Sequence, residues 1–346
     1  MDNKKFIKNN LNVKFPKIIC SSVIRSTHKG ESHGGVYLVD LDTGESKQVV
    51  DWNDISINWG GRGADRGLRG VVLYDDKIYM AANNKIIVYN KNFKILNSIK
   101  NKYLWDCHEL FVHKDTLFIT STAYASILEF DLKSNTFLKG YYIKQQRFLR
   151  YLEIRALKLE IRKKKFFLTK ILRKFKPKLV IFDLNSEKGP KKQYQFHINN
   201  VYCDNDRIYF CGTRLNHLYY ILNEKIYHYA KVPFGNHNVR PFKEGILLND
   251  TTGEKLSYMD LRGNVIESFQ IKKFEENELL NAHLPIDHAK QAFGRGLCLT
   301  DDGLIIGGSS PALISVYKLG YPNALKCVNI TMDVRNSIHG LTLWPF

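Results

Sequence analysis

The sequence predicts an all-β protein, a six-bladed β-propeller closed by the C-terminal strand joining the N-terminal blade. A unit of short apolar strands and tight turns, clearest at 105–132 (WDCHELFVHKDTLFITSTAYASILEFDL), recurs along the chain. One copy is split between the chain ends, with HGLTLW near the C-terminus and KIICSSVIR near the N-terminus. Units of this length cannot bury their faces alone, so we expect them to pack side by side in a ring.

The chain divides into a short arm and one long domain. Residues 1–16 are rich in Lys and Asn and predict a flexible N-terminal arm, while 17–346 form a single propeller domain. Alternating, β-branched and aromatic strands begin at Ile18, and turn signals such as Asp75-Asp76 separate them. The remaining copies of the repeat start at Gly67, Ile198, His237 and Gly294.

Composition places the chain among ordinary globular proteins, apart from its charge. Of 346 residues, 44% are hydrophobic and 25% charged, but the net charge is +18. Such an excess predicts attraction to anionic partners. The six cysteines are scattered without a C-x-x-C pair and are interpreted as reduced, buried thiols. Since neither a signal peptide nor a spanning segment is evident, we expect a cytoplasmic protein.

A helical insertion is predicted over 144–177, where apolar residues recur at helical spacing and Pro177 ends the pattern. Thirteen Lys or Arg and two Glu lie within 144–176. Such a helix suits an anionic membrane surface, which would make the protein peripheral to a membrane. Alternatively, it packs on the propeller with its charges solvated. Nucleic acid is an unlikely partner, because no Gly-rich or stacking aromatic pattern accompanies the charge.

The strand-like segment KLVIFDLNSEKG, which starts at Lys178, leaves a second architecture open. It resembles the third strand of the repeat. A degenerate seventh blade, with its inner strands replaced by the helical insertion, is therefore an alternative to six blades.

One residue per repeat is predicted to line the mouth of the central channel, because the inner strands all start at one face. In ring order these residues are His339, Arg69, His108, Asn199, His237 and Arg295. Histidines in alternating blades suit a three-nitrogen site for a divalent metal ion formed by His108, His237 and His339. Two alternatives remain, namely a metal-free His/Arg acid–base or anion site and a structural channel lining.

Loops on the same face supply further candidates. The segment NWGGRGADRGLRG from Asn58 carries Arg62 and Arg66, which suit an anion or else bridge blades. Together with Arg69, Asn199 and Arg295 these arginines form the predicted substrate-binding set. His197, near Asn199, and His33, in the loop STHKGESHGG, are the candidates for proton transfer.

The strand-turn-strand segments LCLTDDGLIIGG (297–308) and GVYLVDLDTGE (35–45) resemble six-bladed propellers of the gluconolactonase, NHL and streptogramin-lyase-like group. The resemblance covers nearly the whole chain. It implies a propeller fold, and for the streptogramin-lyase-like enzymes a central histidine site with a divalent metal. The lactonases' acidic calcium ligands have no counterpart in the predicted ring.

These observations favour a metal-assisted lyase or hydrolase that acts on an anionic small molecule or glycan. The alternative function is a non-catalytic scaffold that its basic helix recruits to an anionic membrane or an acidic partner.

Overall fold

The structure is a computed structural model that describes residues 14–28, 30–53, 67–145, 176–285 and 290–346. The strands of the first half are β1 (Lys17–Ile24), β2 (Gly35–Asp40), β3 (Ser46–Asp51), β4 (Val71–Tyr74), β5 (Lys77–Ala81), β6 (Lys85–Asn90), β7 (Ile95–Lys100), β8 (Cys107–His113), β9 (Thr116–Ser121), β10 (Ser126–Asp131), β11 (Thr136–Lys144) and β12 (Lys178–Phe182). Those of the second half are β13 (Ile198–Asp204), β14 (Arg207–Gly212), β15 (His217–Leu222), β16 (Lys225–Lys231), β17 (Asn236–Phe242), β18 (Gly245–Asp250), β19 (Lys255–Asp260), β20 (Val265–Gln270), β21 (Arg295–Leu299), β22 (Ile305–Ser309), β23 (Leu313–Tyr317), β24 (Lys326–Asn329) and β25 (Asn336–Leu343).

The described strands form six antiparallel sheets, which confirms the six-bladed propeller. The innermost strands contact one another in the order β25, β4, β8, β13, β17, β21 and back to β25. Strand β25 pairs with β1 from Ile18↔Leu343 to Ile24↔Asn336. The two ends of the chain therefore close the ring within one blade, as predicted, and no inner edge is left exposed there.

The seventh-blade alternative is wrong. Strand β12 pairs with β11, from Gly140↔Phe182 to Lys144↔Lys178, and so becomes the fifth strand of the third blade. The predicted helical insertion falls almost wholly on 146–175, outside the described residues, as does the arm up to residue 13. Two 3-10 turns, Thr122–Tyr124 and Glu276–Glu278, are the helical segments among the described residues. None of these described helices has the length and apolarity to cross a membrane.

Strand sequences reflect their depth in each blade. Middle strands such as β6 (KIIVYN) are packed on both faces by neighbouring blades and read as continuous apolar runs. Outer strands such as β7 (ILNSIK) are mostly exposed. The predicted turn at Asp75-Asp76 has both residues at positive φ, 49° and 55°, as a two-residue type I′ hairpin requires. Because such a hairpin fixes the register of the two strands that it joins, it also fixes the residue at which the inner strand begins.

Candidate functional site

Most of the ring residues lie at or beside β-bulges near the start of the inner strands. Where β13 pairs with β14, Ile198 faces Gly212 and Asn200 faces Cys211, so Asn199 is the extra residue. His339 is the extra residue of β25 in the same way, between Ile338 and Gly340. Such bulges re-aim side chains and are common beside functional sites. The same irregularity recurs beside the other ring positions His108, His237 and Arg295.

Arg69 is held by an ion pair and by the backbone. Its Nη1 donates to Asp106 Oδ1 at 2.5 Å and to the Cys107 carbonyl at 2.9 Å. The two side chains are only 2% and 14% exposed, so the pair is largely desolvated. The Arg69 carbonyl accepts a hydrogen bond from Ser21 Oγ of the next blade. Arg69 is therefore a fixed cation whose charge Asp106 largely offsets.

Three histidines come together in the ring. The His108 ring lies 5.0 Å from that of His197, in an edge-on arrangement, and 6.0 Å from that of His339, which it stacks against. His108 Nε2 lies 3.7 Å from Asp106 Oδ1. The structure thus places His197 and His339 each in contact with His108.

His237 and Asn199 are oriented by their neighbours. His237 Nδ1 is within hydrogen-bond distance of the Gly235 carbonyl (3.1 Å) and Thr251 Oγ1 (2.8 Å). Its buried Nε2 has no hydrogen-bond partner among the described residues. Asn199 Nδ2 donates to the Asn236 carbonyl at 3.3 Å, while its Oδ1 is likewise buried without a partner in the described ranges. Each side chain therefore keeps one polar atom for a ligand or water.

Two arginines share one aromatic ring at this end of the channel. The guanidinium carbon of Arg25 lies 4.4 Å from the Phe293 ring centroid, and that of Arg295 lies 4.6 Å from the same centroid. Arg295 is 9% exposed, and none of the described residues forms a salt bridge with it. Two cations on one ring, one of them buried without a salt bridge among the described residues, form a place suited to an anion.

Burial keeps the ring histidines neutral. Desolvation, and then the positive charges of Arg69 and Arg295 among the neighbours, lowers the pKa of His108 well below its usual value. Burial and then Arg295 act in the same direction on the pKa values of His237 and His339. For His197, burial lowers the pKa to about 4, although Asp106 opposes this. Neutral imidazoles beside fixed cations can accept a proton from a bound molecule.

The described residues lend no support to the predicted three-histidine metal site, since no group of three or more His, Cys, Asp or Glu side chains among them is placed to hold a metal ion. His237 Nδ1 is engaged by Gly235 and Thr251, while its Nε2 has no partner among the described residues. His108 stacks against His339 at a ring centroid distance of 6.0 Å. A metal ion held by His108, His237 and His339 therefore stays a prediction.

The remaining sequence candidates have different outcomes. His33 is fully buried, and its Nδ1 lies 2.8 Å from Thr27 Oγ1 of its own loop, an arrangement that supports a structural position. Arg62 and Arg66 lie outside the described residues. Arg25 and Phe293 were missed because both precede or follow strands in loops, which a one-residue-per-repeat alignment does not sample. The sequence signal for Arg25 and Phe293 was the expected position of their loops on the face of the propeller where the inner strands start.

Comparisons with known proteins show the fold. No protein-family model and no curated protein matches the sequence. A solved structure of a protein of unknown function from Bacteroides caccae is 10% identical over 94% of this chain and 98% of its own, with a TM-score of 0.51.

Two further solved structures are less similar in shape. A putative 6-phosphogluconolactonase from Bacteroides fragilis is 10% identical over 91% of this chain and 82% of its own, with a TM-score of 0.47. Virginiamycin B lyase from Staphylococcus aureus is 13% identical over 75% of this chain and 72% of its own, with a TM-score of 0.39. A shared fold is shown by the Bacteroides caccae structure, with its TM-score of 0.51, and at 10% identity that similarity shows the fold alone.

Proposed function

We propose that this propeller is an enzyme that binds an anionic small molecule or glycan at the axis and performs lyase or hydrolase chemistry on it. The observation that carries the proposal is the Arg25 and Arg295 pair on the Phe293 ring, with Arg295 buried and forming no salt bridge among the described residues. Guanidinium groups bind carboxylate, phosphate and sulfate through paired hydrogen bonds. The apolar ring keeps both cations partly dehydrated, which strengthens their attraction to an anion.

In this proposal the neutral histidines carry out the proton transfer. With a substrate carboxylate on Arg295, an imidazole such as that of His197 accepts the proton from the carbon next to that carboxylate, and the electron pair moves into the carboxylate. The guanidinium stabilises the charge that develops there. In a lyase the electron pair then expels a leaving group on the next carbon, and the protonated imidazole returns its proton to that group. In a hydrolase the same imidazole accepts a proton from water as the water oxygen bonds to the carbon that carries the leaving group. The bond from that carbon to the leaving-group oxygen breaks, and the protonated imidazole returns its proton to that oxygen.

The solved structures include proteins named as a lyase and a putative lactonase, and they place no activity on this chain. The proposal contains no metal-dependent step, because the histidines do not form a metal-binding group within the described residues.

Two acidic glycans test the proposal, polygalacturonate and chondroitin sulfate. A lyase gives products with a new double bond that absorbs in the ultraviolet, whereas a hydrolase gives new reducing ends without that absorbance. We expect one of these signals from the unmodified chain and its loss in Arg295→Gln. Arg262→Gln, which removes an exposed arginine, is the matched control. Full activity of Arg295→Gln contradicts the proposal.

A further inference from the structure

A second cavity lies on the propeller axis beyond the ring, toward the C-terminal ends of the inner strands. Its volume is about 220 Å³, which corresponds to about seven water-sized groups at roughly 30 Å³ each. The residues that line it follow the ring residues along the same strands: Glu109 and Phe111 on β8, Tyr202 on β13, Asn238 and Arg240 on β17, and Leu299 on β21. None of them belongs to the site proposed above.

Arg240 supplies a cation to this cavity. Its Nη2 donates to the Leu297 carbonyl, and its guanidinium carbon lies 5.7 Å from the Tyr202 ring centroid. No carboxylate of the described residues forms a salt bridge with it. A guanidinium has five N–H donors. The single hydrogen bond seen here leaves most of them for a ligand in the cavity.

Glu109 faces the same space in a fixed hydrogen-bond network. Asn238 Oδ1 accepts from Gly296 N at 2.9 Å and from Asn249 Nδ2 at 3.1 Å. These contacts orient the Asn238 amide, so its Nδ2 donates to Glu109 Oε2 at 2.5 Å. The φ of +51° at Asn238, at the bulge of β17, sets this geometry.

Arg240 is the cation of this cavity, because a guanidinium stays charged. Glu109 is the acidic side chain of the lining, and burial raises its pKa, although Arg240 and the Asn238 hydrogen bond oppose this. The other titratable side chains in the lining are Tyr202 and Cys298, and burial raises the pKa of both.

We propose that this cavity is a second ligand site, which binds a small monocarboxylate through Arg240 and packs its apolar body against Phe111 and Leu299. Glu109, held by Asn238, lies in the same lining. Phe111 packs against the Tyr202 ring at a centroid distance of 4.7 Å, which makes this wall rigid and aromatic. This second site involves neither Arg25 nor Arg295, called here the axial arginines, and takes no part in the proposed reaction.

Calorimetry with benzoate on the full chain tests the site, with benzyl alcohol as the neutral probe of the same shape. We expect benzoate to bind at pH 7, and benzyl alcohol at least tenfold more weakly. Arg240→Gln loses at least tenfold in benzoate affinity, whereas Arg295→Gln retains it.

Two outcomes overturn the second site: no benzoate binding to the unmodified chain, or binding that Arg295→Gln abolishes and Arg240→Gln leaves intact. The latter result assigns benzoate to the axial arginines and so leaves the proposed function standing. Should Arg240→Gln fail to fold, Leu299→Trp fills the cavity without replacing a charge. Loss of benzoate binding in that variant supports the site, and unchanged binding overturns it.

Discussion

The guanidinium carbon of Arg295 lies 4.6 Å from the centroid of the Phe293 ring, and no carboxylate among the described residues forms a salt bridge with it. A buried cation of this kind is retained at a cost in desolvation. That cost is several kcal/mol per ion, whereas a desolvated cation–π contact returns about 2 kcal/mol. This imbalance supports the proposal that Arg295 binds an anion.

Arg295→Gln is therefore expected to raise the melting temperature by a few degrees in the absence of ligand. Glutamine keeps part of the side-chain packing and carries no charge to desolvate. Differential scanning calorimetry measures the effect, with the exposed Arg262→Gln as a control that leaves the melting temperature unchanged. A clear loss of stability in Arg295→Gln contradicts this explanation.

Asp106→Asn is expected to destabilise the fold by about 3–5 kcal/mol, because it leaves the Arg69 charge buried without compensation. The two groups are joined at 2.5 Å, and Arg69 is only 2% exposed. Urea unfolding measures the change in the free energy of unfolding. The exposed Asp301→Asn serves as the control. A change below about 0.5 kcal/mol, as at ordinary surface positions, argues against a structural ion pair here.

His197→Gln is expected to lower kcat by about 10²–10⁴ once a substrate is identified, the range for a lost general base. His228→Gln, on the outer strand β16, leaves kcat unchanged. Since burial holds the pKa of His197 at about 4, kcat/KM should stay level as pH falls from 8 to 5. An acid limb centred near pH 6.5 indicates a solvated histidine instead and contradicts the assignment.

Acidification is expected to destabilise the protein below pH 6.5. Burial lowers the pKa values of six histidines below the unfolded value of 6.5: His108, His197, His217, His228, His237 and His339. The unfolded chain then binds more protons below pH 6.5, so stability falls as pH falls, for His197 down to about pH 4.

Two buried carboxyls act in the opposite direction. The pKa values of Glu109 and Glu129 are raised by burial, so their contribution is present below about 4.5 and is lost as pH rises. Six histidines outweigh two glutamates, and a lower melting temperature at pH 5 than at pH 6.5 is the expected result. Equal melting temperatures at both values refute the neutral-histidine cluster.

The sequence predicted the propeller and its closure because the repeat fixes strand order and because HGLTLW completes the first blade. It also placed one residue of each repeat near the start of an inner strand, since each inner strand starts at the same offset from its hairpin. It could not determine which strand β12 pairs with, because the sequence of a strand does not identify its hydrogen-bonded neighbour. Arg25 and Phe293 escaped detection because loops carry them to the axis.

The sequence did not predict the cavity beyond the ring, for a different reason. Two consecutive residues, His108 and Glu109, oppose the single residue Thr120 of β9 at a bulge. An alternating strand sends neighbouring side chains to opposite faces, so a strand pattern does not place both in the channel. The metal ion stays a prediction, because the spacing of histidines along the chain does not determine how their rings are oriented.

Titration calorimetry with inorganic sulfate at low ionic strength tests the central claim, that the axial arginines bind an anion. The expected result is saturable binding to the unmodified chain and to Arg262→Gln, with at least tenfold lower affinity in Arg295→Gln, a loss of about 1.4 kcal/mol or more. The claim is contradicted if sulfate binds the unmodified chain and Arg295→Gln with the same affinity, or if it binds neither.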